Sequence, residues 1–213
     1  MTDGLKLPVQ TSDDIDIENA TFNGWLLEHF ITSILVFSSL GIVFAARTNA
    51  PGSWHDSRVA QPIYRVLCTK TPDGYYLVAD TAFPRGTVEI KGRICAPLKD
   101  GQQVMGTTDQ IVEVMAFNRE LLSYSQTTEW GMRAIQGSFG RLRIPLSCND
   151  SKARGDLLEI CLQLHNLHTI KVGFNQIQMV YFKHWQQTDD DIEVWTRFES
   201  MLFLDQHEKD HVA

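Results

Sequence analysis

Between Phe30 and Ala46 the chain carries 17 mainly apolar residues, broken by Thr32, Ser33, Ser38, Ser39 and Gly41. A membrane helix needs about 20 such residues, and this run is rich in Ile, Val and Phe. It therefore predicts two buried strands, about 29–38 and 41–47, joined at Ser38-Ser39-Leu40-Gly41. Before it, residues 4–24 hold Pro8 and the acidic stretch Asp13-Asp14-Ile15-Asp16-Ile17-Glu18, and read as loop. After it, Asn49-Ala50-Pro51-Gly52-Ser53 reads as a turn, because Pro and Gly fix backbone angles. Val59, Ile63, Val66 and Leu67 then share one face of a helix over 56–67. The turn Pro72-Asp73-Gly74 feeds a strand over 75–79 that stops at Asp80, and Pro84 bars its continuation. Residues 85–108 read as an irregular insertion. A helical region follows from about 109 to 140, with Ile111, Val114, Met115, Leu121 and Leu122 as core candidates. Gly137 and Gly140 interrupt its end and Pro145 closes it. A second helix, 151–168, shows an apolar stripe of Leu157, Leu158, Cys161, Leu162 and Leu164. Residues 189–204 read as a short acidic helix before a frayed end. Two strands, a helix, a strand and further helices predict a mixed α/β domain over 1–188, with 189–213 as an acidic helix and tail.

A length of 213 residues with 43% hydrophobic content suffices for one domain with a buried core. Formal charge is −7, but residues 189–213 hold 8 acids and 2 bases, so the remaining 18 acids and 17 bases leave the body at −1. That balance lacks the basic footprint usual in DNA-binding proteins. Cys68, Cys95, Cys148 and Cys161 form no CxxC pair, and read as reduced intracellular thiols. Met1-Thr2-Asp3-Gly4 shows no basic stretch leading into an apolar one, so no signal peptide is expected. No phosphate-binding glycine loop and no Ser-His-Asp or Cys-His signature is present.

The acidic positions carry the most chemistry. Phosphodiester cleavage by paired divalent ions needs carboxylates converging from different elements, with the ions about 3.5–4 Å apart. Such hard ions prefer oxygen ligands. Asp80, ending an apolar strand, suits that purpose, and it equally suits a turn or a helix cap. Asp3 opens an Asp-Gly turn. Asp56 stands just before a helix, where capping the free N–H groups is its natural use.

Taken in order, Asp3-Gly4, Asn23-Gly24-Trp25, Pro51-Gly52-Ser53-Trp54-His55-Asp56-Ser57, Tyr76-Leu77-Val78-Ala79-Asp80 and Gly137-Ser138-Phe139-Gly140-Arg141-Leu142 resemble the phrases of Harbinger-type DDE superfamily endonucleases. Leu164-His165-Asn166 resembles that family's C-terminal helix, so the likeness covers roughly residues 3–170. It implies an RNase H-like mixed sheet with flanking helices and a site for Mg²⁺ or Mn²⁺. Asp3 matches the first acid, Asp80 the second, and Asp56 a nearby supporting acid. The family's third acid, a Glu four residues before the glycine of Phe139-Gly140, is replaced here by Gln136. Glu129 is the nearest substitute, on the same helix face but about 10 Å away along the axis; a plain surface Glu is its other reading. Only two residues precede Asp3, so its strand is expected to be truncated, with neighbouring backbone groups unpaired. The chain then resembles the later part of a longer transposase, without a helix-turn-helix to choose a DNA site.

The resemblance implies a DNA-cutting and strand-transferring enzyme acting in the nucleus, with no membrane association and with a separate DNA-binding accessory protein. Lys91, Arg93, Arg133, Arg141 and Arg143, with Arg85 and Lys99, are candidates for phosphate contacts. Residues 85–146 hold only 8 bases against 6 acids, however, so a solvated mixed face reads equally well. His165 and His168 are spaced for a metal but lack a second pair, and His165 beside Asn166 reads as a packing residue. The alternative is a decayed or domesticated copy that keeps the fold as an interaction module. Gln136 and the short first strand support that alternative.

Overall fold

The computed structural model describes residues 1–80, 83, 90, 92–99, 101–173, 175, 177 and 178. Leu5, Leu7 and Val9 are buried while Lys6 between them is exposed, the period-two pattern of a half-buried strand. This is β1 (Thr2–Pro8). The loop expected over 4–24 is thus corrected at its start, where the alternation is too short to stand out before Pro8. It is corrected again at α1 (Ile15–Thr21), whose N-cap Asp14 accepts from the Asp16 and Ile17 amides. The acidic stretch is a cap and first helical turn, where carboxylates offset the positive helix end.

After β2 (Phe22–Asn23) comes β3 (Glu28–Phe37), the central strand. It pairs antiparallel with β1 from Thr2↔Val36 to Pro8↔Phe30. The Met1 nitrogen also donates to Phe37 O at 2.8 Å. The first strand is therefore seven residues long and paired along its length, which corrects the expectation of unpartnered neighbours. On the other edge of β3 lies β4 (Val43–Pro51), also antiparallel. The two apolar strands stand where the pattern put them, but β4 runs on into the expected turn. It does so through a bulge between Thr32↔Ala50 and Ile34↔Arg47, with Asn49 at φ 58°. The extra residue lets Asn49 reach across, its Oδ1 accepting from Arg154 Nε at 3.0 Å.

The helix expected over 56–67 is split into α2 (Asp56–Val59) and α3 (Gln61–Thr69). Pro62, lacking an N–H, is suited only to the first turn of a new helix. The strand ending at Asp80 keeps ladder bonds only in β5 (Leu77–Val78), parallel to β6 (Ile94–Cys95). A parallel bridge, Thr2↔Ala79, ties this pair to β1. β6 lies inside the segment expected to be irregular, of which residues 85–89, 91 and 100 are outside the described residues.

α4 (Thr108–Ser138) opens with a capping box of Thr107 and Gln110. Of its expected core residues only Leu121 is buried; Val114, Met115 and Leu122 are exposed and Ile111 half-buried. The helix meets the sheet with its second half instead, through Thr127, Thr128, Gly131, Met132 and Ile135. A Cβ at Gly131 would lie 2.8 Å from the Phe37 ring, so the glycine sets how closely α4 approaches. A 3₁₀ turn (Gly140–Arg143) leads to α5 (Ser151–Val172), which buries Leu158, Cys161 and Leu162 and exposes Leu164.

The result is three layers. Leu5 and Leu7 of β1, with Ile31 and Leu35 of β3, pack against α4 and α5. Ile34 and Val36 pack on the opposite face against Val59, Tyr64 and Leu67 of α2 and α3. Among the described residues no helix is long and apolar enough to cross a membrane. The acidic helix expected over 189–204 lies outside the described residues.

Candidate functional site

The site begins with strand register. Thr2 bridges Ala79 in parallel, so Asp3 and Asp80 each follow a bridged residue, near enough for the Asp80 charge to act on Asp3. Paired strands run about 4.8 Å apart. Asp3 is half-buried and Asp80 exposed, so the pair spans the boundary between core and solvent. The Gly4 amide donates to Asp3 Oδ1 at 2.7 Å and fixes that carboxylate over its own backbone.

Asp56 joins from a third element. Capping was its natural expected role, but His55 is the N-cap of α2, its Nδ1 accepting from the Ser57 amide at 3.2 Å. Asp56 instead lies against β1, where a Cβ at Gly4 would be 2.9 Å from its Oδ2. Only glycine leaves that carboxylate its place.

The electrostatics agree with this crowding. Burial pushes the Asp3 carboxyl up to about 6, and the charges of Asp80, Asp56 and Glu129 add to it against the opposing Gly4 hydrogen bond. Asp56 is raised as well, by burial first and Asp80 further, with Lys6 and His55 opposing. A bound cation stabilises carboxylates that repel one another.

α4 runs alongside β1, with Thr127 Oγ1 on Met1 Sδ at 3.0 Å and Gln136 Nε2 on Lys6 O at 3.2 Å. Gln136 is therefore beside Lys6, three strand residues or about 10 Å beyond Asp3. Glu129, seven helix residues earlier, is displaced by about the same distance in the same direction. The offset that separates Glu129 from position 136 thus brings it level with Asp3. Its side chain is exposed and stands 3.6 Å from the Arg133 guanidinium.

Among the described residues no three His, Cys, Asp or Glu side chains converge closely enough to hold an ion as placed. The donor set nevertheless fits a hard cation in kind: Asp3, Asp56 and Asp80 offer only oxygen, and the bare Gly4 backbone leaves the Asp56 carboxylate its place. His165 is a packing residue, its Nε2 3.2 Å from Gly41 O and its ring edge-on to Phe37.

The cations are dispersed. Arg141 Nη1 donates to Pro145 O at 3.2 Å, and Arg143 is exposed on the same turn. Arg133 faces Glu129. The Arg93 guanidinium is engaged by Pro72 O at 2.5 Å and Asp73 Oδ1 at 2.6 Å, which ties β6 to the preceding turn. Lys91 and Arg85 lie outside the described residues. Lys6, which opposes the Asp56 shift, escaped the sequence reading; its one signal was being the exposed residue between two buried leucines.

A family model described as DDE superfamily endonuclease matches residues 2–166. Searches of curated proteins and of solved structures gave no match.

Proposed function

The chain belongs to the DDE superfamily endonucleases, and on that premise we propose that it is a divalent-metal-dependent DNA endonuclease and strand-transferase domain of transposon origin. The observation that supports this reading is the Thr2↔Ala79 bridge, one residue before Asp3 and Asp80, with Asp56 against Gly4. The ordered phrases from Asp3-Gly4 to Phe139-Gly140 favour the Harbinger-type branch. An antiparallel trio joined to parallel strands, with helices on both faces, supports an RNase H-like fold.

In this mechanism Asp3, Asp56 and Asp80 would hold Mg²⁺ or Mn²⁺. Bound there, such ions would supply the Lewis acidity that activates an attacking hydroxyl and stabilises charge on the phosphate. Asp3 is held within β1, Asp80 directly follows the bridged Ala79, and Asp56 opens a helix. Glu129, level with Asp3, is the candidate to receive the proton of the attacking group. Lys6, Arg133, Arg141 and Arg143 contact the DNA backbone. Site choice falls to an accessory DNA-binding protein, since the body carries no basic excess, and the place of action is the nucleus.

One observation favours a second reading, a copy that keeps the fold without cutting. Gln136 stands where the resemblance calls for the third acid, and its amide is used on Lys6 O. Plasmid nicking in Mg²⁺ or Mn²⁺, with Mn²⁺ calorimetry, separates the two. Nicking and metal heat in the wild type, both lost in Asp3→Asn and Asp80→Asn, support the enzyme. Folded wild type that gives neither sinks it.

A further inference from the structure

A cleft of about 450 Å³ opens beside Asp56 on the α2–α3 face of the sheet. Its floor is Lys6, Phe30 and Thr32, the first and last being partners across β1 and β3. One wall is Trp54 and His55, which lead directly into Asp56; the other is Trp25 and Leu26. Two features distinguish the cleft from an ordinary surface dent.

First, Trp25 is 92% exposed, and the turn that carries it is held in shape. Asn23 Oδ1 accepts from the Trp25 and Leu26 amides, each at 3.1 Å, while its Nδ2 donates to Gly52 O at 2.9 Å. Leu27 closes the turn at φ 56°, a conformation a leucine adopts only where its surroundings enforce it. Gly52 is required in turn, because a Cβ there would lie 2.1 Å from Phe30 O. An indole presented to solvent on a braced turn is a stacking platform.

Second, Thr32 is 0% exposed, yet its hydroxyl has no hydrogen-bond partner among the described residues. A buried hydroxyl left unpaired is costly, and this one belongs to a residue that lines the cleft. Lys6 lies beside it across the strands, its ammonium 5.6 Å from the centre of the Phe30 ring.

We propose that this cleft receives one unstacked nucleobase of a DNA strand that passes the Asp3, Asp56 and Asp80 cluster. The base stacks on Trp25 and its polar edge meets the Thr32 hydroxyl. Lys6 swings off Phe30 onto the adjoining phosphate, which uncovers Thr32. Trp54 is braced from behind by the Arg58 guanidinium, 4.0 Å from its ring. The inference rests on the DNA-cutting reading for its choice of ligand. The chemistry of the cleft itself would suit a purine or a pyrimidine, since every base has an aromatic face.

The test uses the full chain without added metal, so that binding is read apart from cutting. Two labelled 20-nucleotide single strands are compared, one of thymidylate and one of the same length with abasic sugars throughout. Wild type should bind the base-bearing strand roughly tenfold more tightly, the scale of one aromatic-stacked base. Trp25→Ala should erase most of that preference, and Thr32→Val should reduce it severalfold. Trp25 is outside the core, so its variant keeps the fold and carries the test even if Thr32→Val does not. Equal affinity for both strands in the wild type, or an undiminished preference in Trp25→Ala, overturns the proposal and leaves the cleft to a protein side chain. Nicking measured in parallel keeps the two readings apart. Cutting without base preference removes only the cleft; base preference without cutting removes only the nuclease.

Discussion

Asp3 makes the stability of the metal-free protein depend on pH. Its carboxyl is raised in the folded state from 3.8 to about 6, by burial first and by Asp80, Asp56 and Glu129 after it. A raised acid contributes fully below its unfolded value, and that contribution disappears as pH rises through the folded one. Melting temperature without metal should therefore fall between about pH 4 and pH 7. In Asp3→Asn this fall should flatten, with a gain at pH 7 of roughly 1–2 kcal/mol after allowance for solvent screening; an equally steep fall in the variant refutes the assignment. Gly4 gives a second test. An alanine methyl there meets the Asp56 carboxylate at 2.9 Å, and a catalytic group displaced by about an ångström costs about 100-fold. Gly4→Ala should thus lose nicking to that extent while its melting curve stays near the wild type. Asp3, Asp56 and Asp80 were visible in the sequence as acids in motifs, but the non-capping place of Asp56 was not. That depended on His55, a residue type seldom found as an N-cap, taking the position first.

At the scale of elements, α4 decides which acid can serve as third partner. Its register along β1 puts Glu129 level with Asp3 and Gln136 against Lys6. Glu129→Gln should therefore reduce nicking by about 100-fold, the scale of a lost general base, whereas Gln136→Glu should restore nothing to that variant. Recovery of cutting in the double variant would reverse the assignment. The closeness of α4 to the sheet rests on Gly131 over Phe37. Gly131→Val should cost about 1–3 kcal/mol of unfolding free energy, the usual range for overpacking, and denaturant titration reads it. The helix itself was legible from its polar–apolar rhythm. Its buried half was not, because Val114, Met115 and Leu122 are as apolar as the residues that do pack. What distinguishes the packed half is Gly131 and two buried threonines, Thr127 and Thr128, which read as weak helix formers rather than as core.

Across the whole molecule, the described residues place few cations near the acids. With Lys6, Arg133, Arg141 and Arg143 as its phosphate contacts, single-stranded DNA should show a salt slope no steeper than about −3. Removal of any one of these side chains should lower the slope by about 0.7. A slope near −8 would mean a basic surface outside these elements. The two-strand core was readable because each apolar stretch is long, and the α/β class followed from the order of elements. β1 was not, since its pairing with β3 and its bridge to Ala79 are contacts between distant segments that no local pattern encodes.

That bridge has a consequence for when the protein can act. Residues 3, 56 and 80 become neighbours only after the central sheet has closed around β1, so a nascent or partly opened chain holds its acids scattered and harmless. On the proposed nuclease reading, cutting would thereby be switched on only by completion of folding itself.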